Sequence, residues 1–539
     1  MPARADGGGA QGTGGGSKHS VSEEEQAYYV KFINTNLSEA EDLAYYGLPI
    51  STEGTELYDK LRDGVLLCKL LNLAVEDCTD ERAINKPSGK PLGPWQINEN
   101  LDLVLNSAKA IGCKVVNIGP EDVVEGKPHM VLALLGQVLR IHLLSQISVR
   151  EIPELVVLLE KDEELPDLLK LPPEKILLRW FNHHLNNSGQ WDKPPVANFS
   201  GDIRDSAGYL VLLHQLDAKC GTDALGSEDR EARAAAVLSN SEVIGHVPLI
   251  NTGSIVSGNA KLNLAFVANL FHTRHGLVIP EDKQVEMAGL LEEEPAATRE
   301  ERCLVAWLNS LGCEEHCNDL CEDTADGVLL LQAMNILKRG SVVAKRVNKR
   351  PVKMKIKQHE NCNYFFDLCK DIGLKLIGIG GTDIVDKNRK LVTSLLWQLM
   401  RYHTMSLLGS GTGTEVTEQD LIQWMNSKLT TFNSPRFVKN FKDKALGDGL
   451  AFLDLLAGLQ PGILNPDFVF DPPKDDKGRE MNAKYVISVA RKIGCSIFLT
   501  WEDIVEAKSK MLAILAASIM DSSGTVVARR ERAASSMSV

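Results

Sequence analysis

The chain of 539 residues is too long for a single hydrophobic core, and its 44% hydrophobic and 24% charged residues are typical of globular proteins. No apolar run reaches the ~18 residues that a membrane span needs, and a formal net charge of −13 argues against general nucleic-acid binding. Eleven cysteines at irregular spacing, without a secretory signal, favour reduced thiols over a disulfide framework, so we expect a cytoplasmic protein.

Both ends of the chain have the composition of unstructured segments. Residues 7–16 contain seven glycines, which predicts a flexible, disordered tail over residues 1–20. Residues 522–539 have no apolar period, which predicts a second disordered tail. Folded structure is therefore expected between these two tails.

The first folded unit, unit 1, is predicted over residues 21–147. Asp63-Gly64 precedes a run that is apolar on nearly every face, so Asp63 would bond free amide groups at the start of a buried helix. Ile111-Gly112 marks a helix end, because glycine readily adopts the left-handed conformation found there. Asp122, ten residues after that glycine, would cap the start of the final helical region.

These landmarks recur along the chain and reveal a repeat. The corresponding pairs are Ile244-Gly245 in a degenerate unit 2 (170–277), Asp326-Gly327 and Ile372-Gly373 in unit 3 (297–408), and Asp448-Gly449 and Ile493-Gly494 in unit 4 (415–521). At a constant offset of 261 residues, segment 99–142 matches segment 360–403 at 16 of 44 positions without a gap. Such a match indicates duplication of a two-unit block, so units 1 and 2 form a first half and units 3 and 4 a second.

Each unit is predicted to be helical. Apolar residues recur at the spacing of one helix face, as at Leu177, Phe181 and Leu185, and again at Leu304, Trp307 and Leu308. Few segments alternate with the period of two that a half-buried strand requires. The sequence therefore predicts an all-α fold.

The order of these features resembles the calponin-homology domain, and four such domains in tandem resemble the fimbrin family, also called plastin. The resemblance covers about residues 21–521, and several runs carry it: Gln96-Ile97-Asn98-Glu99-Asn100, Asn117-Ile118-Gly119-Pro120-Glu121-Asp122, Lys261 to Phe271, and Gly378-Ile379-Gly380-Gly381. It implies two actin-binding halves, F-actin as the partner, and a monomer that cross-links filaments into tight bundles, with no nucleic acid or membrane bound. The alternative is a scaffold or stabiliser that binds one filament, or a non-actin partner, without bundling.

The sequence departs from the family at one point. Fimbrins usually begin with a pair of calcium-binding EF-hands, whose loops need alternating acidic residues, a central glycine and a closing glutamate. No segment fits that loop; Asp323-Thr324-Ala325-Asp326-Gly327 has the wrong spacing. We therefore expect a chain without the EF-hand pair, and without calcium control of the usual kind.

The resemblance implies three actin-facing elements in each half, over about residues 23–36, 128–144 and 174–187, then 298–311, 389–405 and 418–429. Within these, Gln137, Arg140 and His142 recur as Gln398, Arg401 and His403, so one role could serve both halves. Gln137, Arg140, Gln398 and Arg401 are candidate actin contacts. A structural cap would explain the recurrence equally, and for the histidines we favour that structural explanation.

The strongest charge feature lies in unit 3. Between residues 338 and 357 there are nine Lys or Arg and no Asp or Glu: Lys338, Arg339, Lys345, Arg346, Lys349, Arg350, Lys353, Lys355 and Lys357. One interpretation of this basic segment is a contact with the acidic surface of an actin filament, with the residues from Lys338 to Lys353 as candidates. The other interpretation is a solvated loop between helices.

Other chemistry has little support in the sequence. Cys313, His316, Cys317 and Cys321 are clustered but lack the Cys-x-x-Cys spacing of zinc sites, so we expect no metal. There is no phosphate-binding loop, nucleophile elbow or His-Glu-x-x-His motif. We therefore expect a chain that is not an enzyme and needs no cofactor.

Overall fold

The computed structural model describes residues 23–149, 151–161, 163, 165–169, 171–279, 298–374, 376–409 and 416–537, and within these residues it is helical without any strand. The prediction of an all-α fold is confirmed. The predicted tail over residues 1–20 lies outside the described residues. The first half comprises α1 Glu23–Leu37, α2 Glu56–Leu61, α3 Val65–Ala74, α4 Pro94–Ala110, α5 Pro120–Val124, α6 Pro128–Leu144, α7 Leu165–Leu169, α8 Pro173–Asn187, α9 Ala207–Leu216, α10 Arg230–Val243, α11 Thr252–Ser257 and α12 Ala260–Thr273.

The second half repeats this order of helices. Its last helix extends beyond the predicted end of unit 4, so the expectation of a disordered tail is wrong over residues 522–537. The second half comprises α13 Arg299–Ser310, α14 Leu320–Thr324, α15 Val328–Leu337, α16 Lys355–Asp371, α17 Gly381–Val385, α18 Arg389–Gly409, α19 Glu418–Thr431, α20 Leu450–Leu459, α21 Asp476–Lys492, α22 Trp501–Val505 and α23 Ser509–Met537.

The buried helix of each unit begins as the sequence predicts. The Asp63 carboxylate accepts a hydrogen bond from the Val65 amide at 3.1 Å, and the corresponding carboxylates of Asp326 and Asp448 do the same at 3.0 and 2.9 Å. Gly64 has φ of 81°, and a Cβ there would lie 3.1 Å from the Asn100 side chain. Glycine at this position therefore satisfies both the left-handed backbone and the close approach of the next helix.

In units 1, 3 and 4, a buried asparagine then ties the buried helix to the loop beside it. The amide of Asn100 donates to the carbonyls of Asp63 and Asn85, both at 2.9 Å, and its oxygen accepts from the Asn85 amide. Asn361 and Asn482 make the equivalent contacts in units 3 and 4. One side chain thus satisfies three backbone groups that would otherwise be buried without partners.

The two units of each half contact each other. In the first half α6 lies against α12, where the His272 ring contacts the Leu143 carbonyl at 2.8 Å. In the second half α18 and α19 pack against α23, and Arg299 of unit 3 pairs with Glu506 of unit 4 at 2.7 Å. The two units of each half are therefore in direct contact.

The two halves also contact each other, through α4 of unit 1. This helix packs between α21 of unit 4 and α13 of unit 3, and every residue from Glu99 to Ala108 is buried. Arg491 donates to the Cys78 carbonyl at 2.9 Å, and Lys492 pairs with Glu99 at 3.4 Å with its side chain only 3% exposed. Sequence analysis did not predict that unit 1 docks onto unit 4.

Candidate functional site

The six elements that the resemblance implied correspond to helices α1, α6 and α8 in the first half and α13, α18 and α19 in the second. Most of their apolar residues are buried in the unit cores, including Val131, Leu135 and Leu139 of α6. Few side chains of these helices therefore remain to contact a partner, and their individual surroundings decide which ones are available.

In α6, the candidates Gln137 and Arg140 have partners within the chain. Gln137 accepts from the Lys114 amide at 2.7 Å and donates to the Lys114 carbonyl at 3.1 Å, so it holds the turn after α4. Arg140 forms an ion pair with Glu174 of unit 2. Both side chains line a cleft between units 1, 2 and 3 rather than an open face.

The equivalent positions in α18 differ. Gln398 and Arg401 are half-exposed, and no ion pair is formed by Arg401 among the described residues. His403 accepts from the Trp307 ring nitrogen at 3.3 Å, while His142 contacts the Leu73 carbonyl at 2.9 Å. Burial lowers the pKa of both rings, as expected of uncharged core residues, which agrees with the structural interpretation of the histidines.

The basic segment of unit 3 runs from the end of α15 to the start of α16, and all of its nine cations except Arg350 are exposed. The exposed group consists of Lys338, Arg339, Lys345, Arg346, Lys349, Lys353, Lys355 and Lys357. Met354 and Ile356 are 57% and 63% exposed among these lysines. The segment therefore presents cationic and apolar side chains together on one surface.

Two arginines of the basic segment have internal contacts. Arg350 pairs with Asp326 at 2.6 Å and Glu315 at 2.9 Å, and it donates to the Asp323 carbonyl at 2.6 Å. Its guanidinium therefore braces the start of the buried helix α15. Arg346 stacks on the Tyr364 ring at 3.8 Å from the centroid, a contact that leaves its charge at the surface.

Comparisons with known proteins agree with this arrangement. A family model, "Calponin homology (CH) domain", matches residues 23–143, 171–276, 298–405 and 415–523. The chain is 42% identical to Fimbrin-3 of Arabidopsis thaliana, in a match that covers 93% of this chain and 70% of that relative. It is 40% identical to Plastin-1 of Bos taurus, in a match that covers 94% of this chain and 81% of that relative. It superposes on the crystal structure of the actin-crosslinking core of Schizosaccharomyces pombe fimbrin with a TM-score of 0.78 and 36% identity, covering 93% of this chain and 99% of that one.

The chain belongs to the fimbrin/plastin family. The resemblance inferred from the repeats is thus confirmed, as is the tandem array of four calponin-homology domains. Within the described residues, no helix is both long enough and apolar enough to cross a membrane.

The cysteine cluster of this fimbrin-family chain is a core feature. Cys313, Cys317 and Cys321 are buried, and burial raises the pKa of Cys313 and Cys321 to about 11. Burial lowers the pKa of His316 to about 4, so its ring is neutral at pH 7. Among the described residues, no group of side chains has an arrangement that could hold a metal ion.

The residues that dock the two halves were missed by sequence reasoning. Arg491-Lys492 precedes Ile493-Gly494 at the end of α21, a position where basic residues usually face solvent and interact with the helix dipole. Both side chains are instead buried against unit 1, and Glu99 and Asn106 of α4 are buried against unit 4. The only signal was the density of polar residues in α4, an otherwise apolar helix.

Proposed function

We propose that this chain binds actin filaments and cross-links them. This proposal depends on the structural match to the actin-crosslinking core of Schizosaccharomyces pombe fimbrin, because the match covers 99% of that core. Its four units form two similar halves, so each half can hold one filament. A single chain then suffices, and we infer that it acts as a monomer in the cytoplasm.

The linkage between the halves adds to the strength of binding. Once one half is bound, attachment of the other is intramolecular, which raises avidity by roughly 10²–10⁴ if both sites can be engaged together. Because α4 of unit 1 is docked onto units 3 and 4, the filaments held by a docked chain would lie close together. This geometry supports tight bundles.

The filament contacts proposed for the second half are the exposed residues of the basic segment and the outer face of α18. Lys338, Arg339, Lys345, Lys349 and Lys353 have no ion-pair partner among the described residues, and Arg346 keeps its charge exposed over Tyr364. Gln398 and Arg401 add a polar edge on α18. Arg350 is excluded from this set because its charge is neutralised by Asp326 and Glu315.

Sedimentation of actin tests the cross-linking proposal. The intact chain should pellet bundles at low speed, whereas fragments 1–280 and 297–539 should pellet with filaments only at high speed. Circular dichroism of each fragment controls for folding. Low-speed pelleting by either fragment alone, or none by the intact chain, would contradict a cross-linker with one filament site in each half.

Charge reversal tests the basic segment. Changing Lys345, Lys349 and Lys353 to Glu should weaken filament binding by fragment 297–539, because three cations facing an acidic partner become anions. The matched control reverses three exposed lysines of unit 4: Lys439, Lys442 and Lys474. Equal binding by both variants would remove the basic segment from the filament interface.

A further inference from the structure

A cleft of about 920 Å³ lies where units 1, 2 and 3 meet. Unit 1 contributes the turn after α4 and the outer face of α6, unit 2 the first turn of α8, and unit 3 one face of α13 with the loop before α14. This volume is within the range of sites that bind small organic molecules. The residues that dock α4 onto α21 do not line it, and neither do the filament contacts proposed above for the second half.

The charge of the cleft is opposite to that of the whole chain. Its cations are Lys114, Arg140, Arg302 and Arg389, and its carboxylates are Glu174 and Asp319. Arg140 pairs with Glu174, and Arg389 pairs with Asp319 at 3.1 Å. Among the side chains that line the cleft, two cations therefore remain without a described carboxylate partner, in a protein of net charge −13.

Those two charges belong to Lys114 and Arg302. Lys114 crosses from unit 1 to unit 3, where its ammonium group donates to the Cys313 and Glu314 carbonyls, and it forms no ion pair with any described carboxylate. Arg302 is exposed on α13, and no ion pair or hydrogen bond of its side chain is seen among the described residues. Apolar side chains complete the wall between these cations, including Ile141, Leu144 and Val305.

We propose that this cleft binds a phosphate-bearing small molecule of nucleotide size, with the phosphates on Lys114 and Arg302 and the organic part on the apolar wall. Arginine and lysine are the side chains that bind phosphate oxygens most strongly. The neutral His316 ring also lines the cleft and adds a further polar contact. Because the ligand would touch three units, it would favour the docked arrangement of the two halves.

Isothermal titration calorimetry on the full chain, in magnesium-free buffer, tests the proposal with ATP, inorganic tripolyphosphate and adenosine as probes. ATP should bind with 1:1 stoichiometry, tripolyphosphate equally or more weakly, and adenosine not detectably. Added salt should weaken ATP binding. Adenosine binding as tightly as ATP would overturn the proposal, and so would no heat from ATP and tripolyphosphate at millimolar concentration.

Variants locate the site. Arg302→Gln removes an exposed charge and should weaken ATP binding at least tenfold, since it deletes a hydrogen bond between charged groups. Arg230→Gln, at an exposed position of unit 2 outside the cleft, is the matched control and should bind like the wild type. Equal affinities for the wild type and Arg302→Gln would place any binding elsewhere and overturn the assignment to this cleft.

Discussion

The contact between Glu99 and Lys492 offers a sharp test of how the two halves are held together. The Glu99 carboxylate receives Lys492 at 3.4 Å, the Gln460 amide at 2.6 Å and the Asn85 amide at 2.7 Å. The two charged side chains are only 11% and 3% exposed. Burial lowers the pKa of Lys492, although Glu99 opposes that shift, so this cation depends on its partner.

Glu99→Ala should therefore destabilise the docked arrangement strongly. Removing one member of a buried ion pair costs about 3–5 kcal/mol, because the other charge stays buried without a counter-ion. A loss of about 3 kcal/mol changes the ratio of docked to separated halves roughly a hundredfold. The ammonium group of Lys492 would retain only the Asn85 side-chain oxygen at 3.0 Å and the Ile463 carbonyl at 3.3 Å.

The same interface contains a matched control. Lys484 pairs with Asp77 at 2.6 Å across units 4 and 1, but the Asp77 side chain is 63% exposed. Asp77→Ala should destabilise the docked arrangement by at most about 1 kcal/mol, since exposed ion pairs contribute little to stability. Glu99→Leu combined with Lys492→Met removes both buried charges, so it should recover much of the stability that Glu99→Ala loses.

Urea titrations followed by circular dichroism and small-angle X-ray scattering would measure these effects. Separation of the halves should occur at lower urea for Glu99→Ala than for Asp77→Ala or the double variant. For Glu99→Ala, stability should rise with pH, since a lysine with a lowered native pKa loses its proton first in the docked state. Indistinguishable curves for Glu99→Ala and Asp77→Ala would refute the reasoning from burial.

Three further predictions concern single units. His246→Phe should stabilise unit 2 by up to about 2 kcal/mol more at pH 5 than at pH 7.5. Burial lowers the pKa of His246 to about 4, so the wild type loses stability as the pH falls from about 6.5 toward that value, whereas the variant does not. Thermal melts at both pH values measure this difference. Asn361→Ala should lower the free energy of unfolding in urea by about 2–4 kcal/mol, because three backbone groups lose their hydrogen-bond partner. Asn363→Ala, at an exposed position of the same helix, should lower it by under about 0.5 kcal/mol. Arg350→Ala should lower the melting temperature of unit 3 by freeing Asp326, and fragments still folded should bind filaments as the wild type does.

Local features that depend on a few neighbouring residues were predictable from the sequence. Asp63 and Asp326 start buried helices as predicted, and Gly112 and Gly373 have the expected left-handed backbone, with φ of 93° and 77°. The Asp122 carboxylate acts slightly differently from the prediction. It is the third residue of α5 and accepts from the Gly119 amide at 2.8 Å, so it closes a capping box rather than preceding the helix.

The candidate site was harder to predict because its members differ in long-range contacts. Nothing local distinguishes Arg350 from Lys349, yet Arg350 reaches Glu315, which lies 35 residues earlier in the chain. Likewise, Arg140 and Arg401 are equivalent positions of the repeat, but among the described residues only Arg140 pairs with a carboxylate, that of Glu174 in the following unit. A charge pattern shows where cations are concentrated, whereas only the fold shows which of them are neutralised.

The duplication shows why local sequence does not predict these contacts, because equivalent residues of α4 and α16 have opposite environments. Glu99 is buried against Lys492, while its counterpart Glu360 is exposed. Burial lowers the pKa of Lys109, while its counterpart Lys370 has a side chain 76% exposed. Since the residue types are the same, the difference comes from what covers each helix: α4 is enclosed by the second half, and the equivalent face of α16 remains open. The docking of the halves is therefore a property of the assembled chain, and among the described residues the outer face of α16 stays exposed.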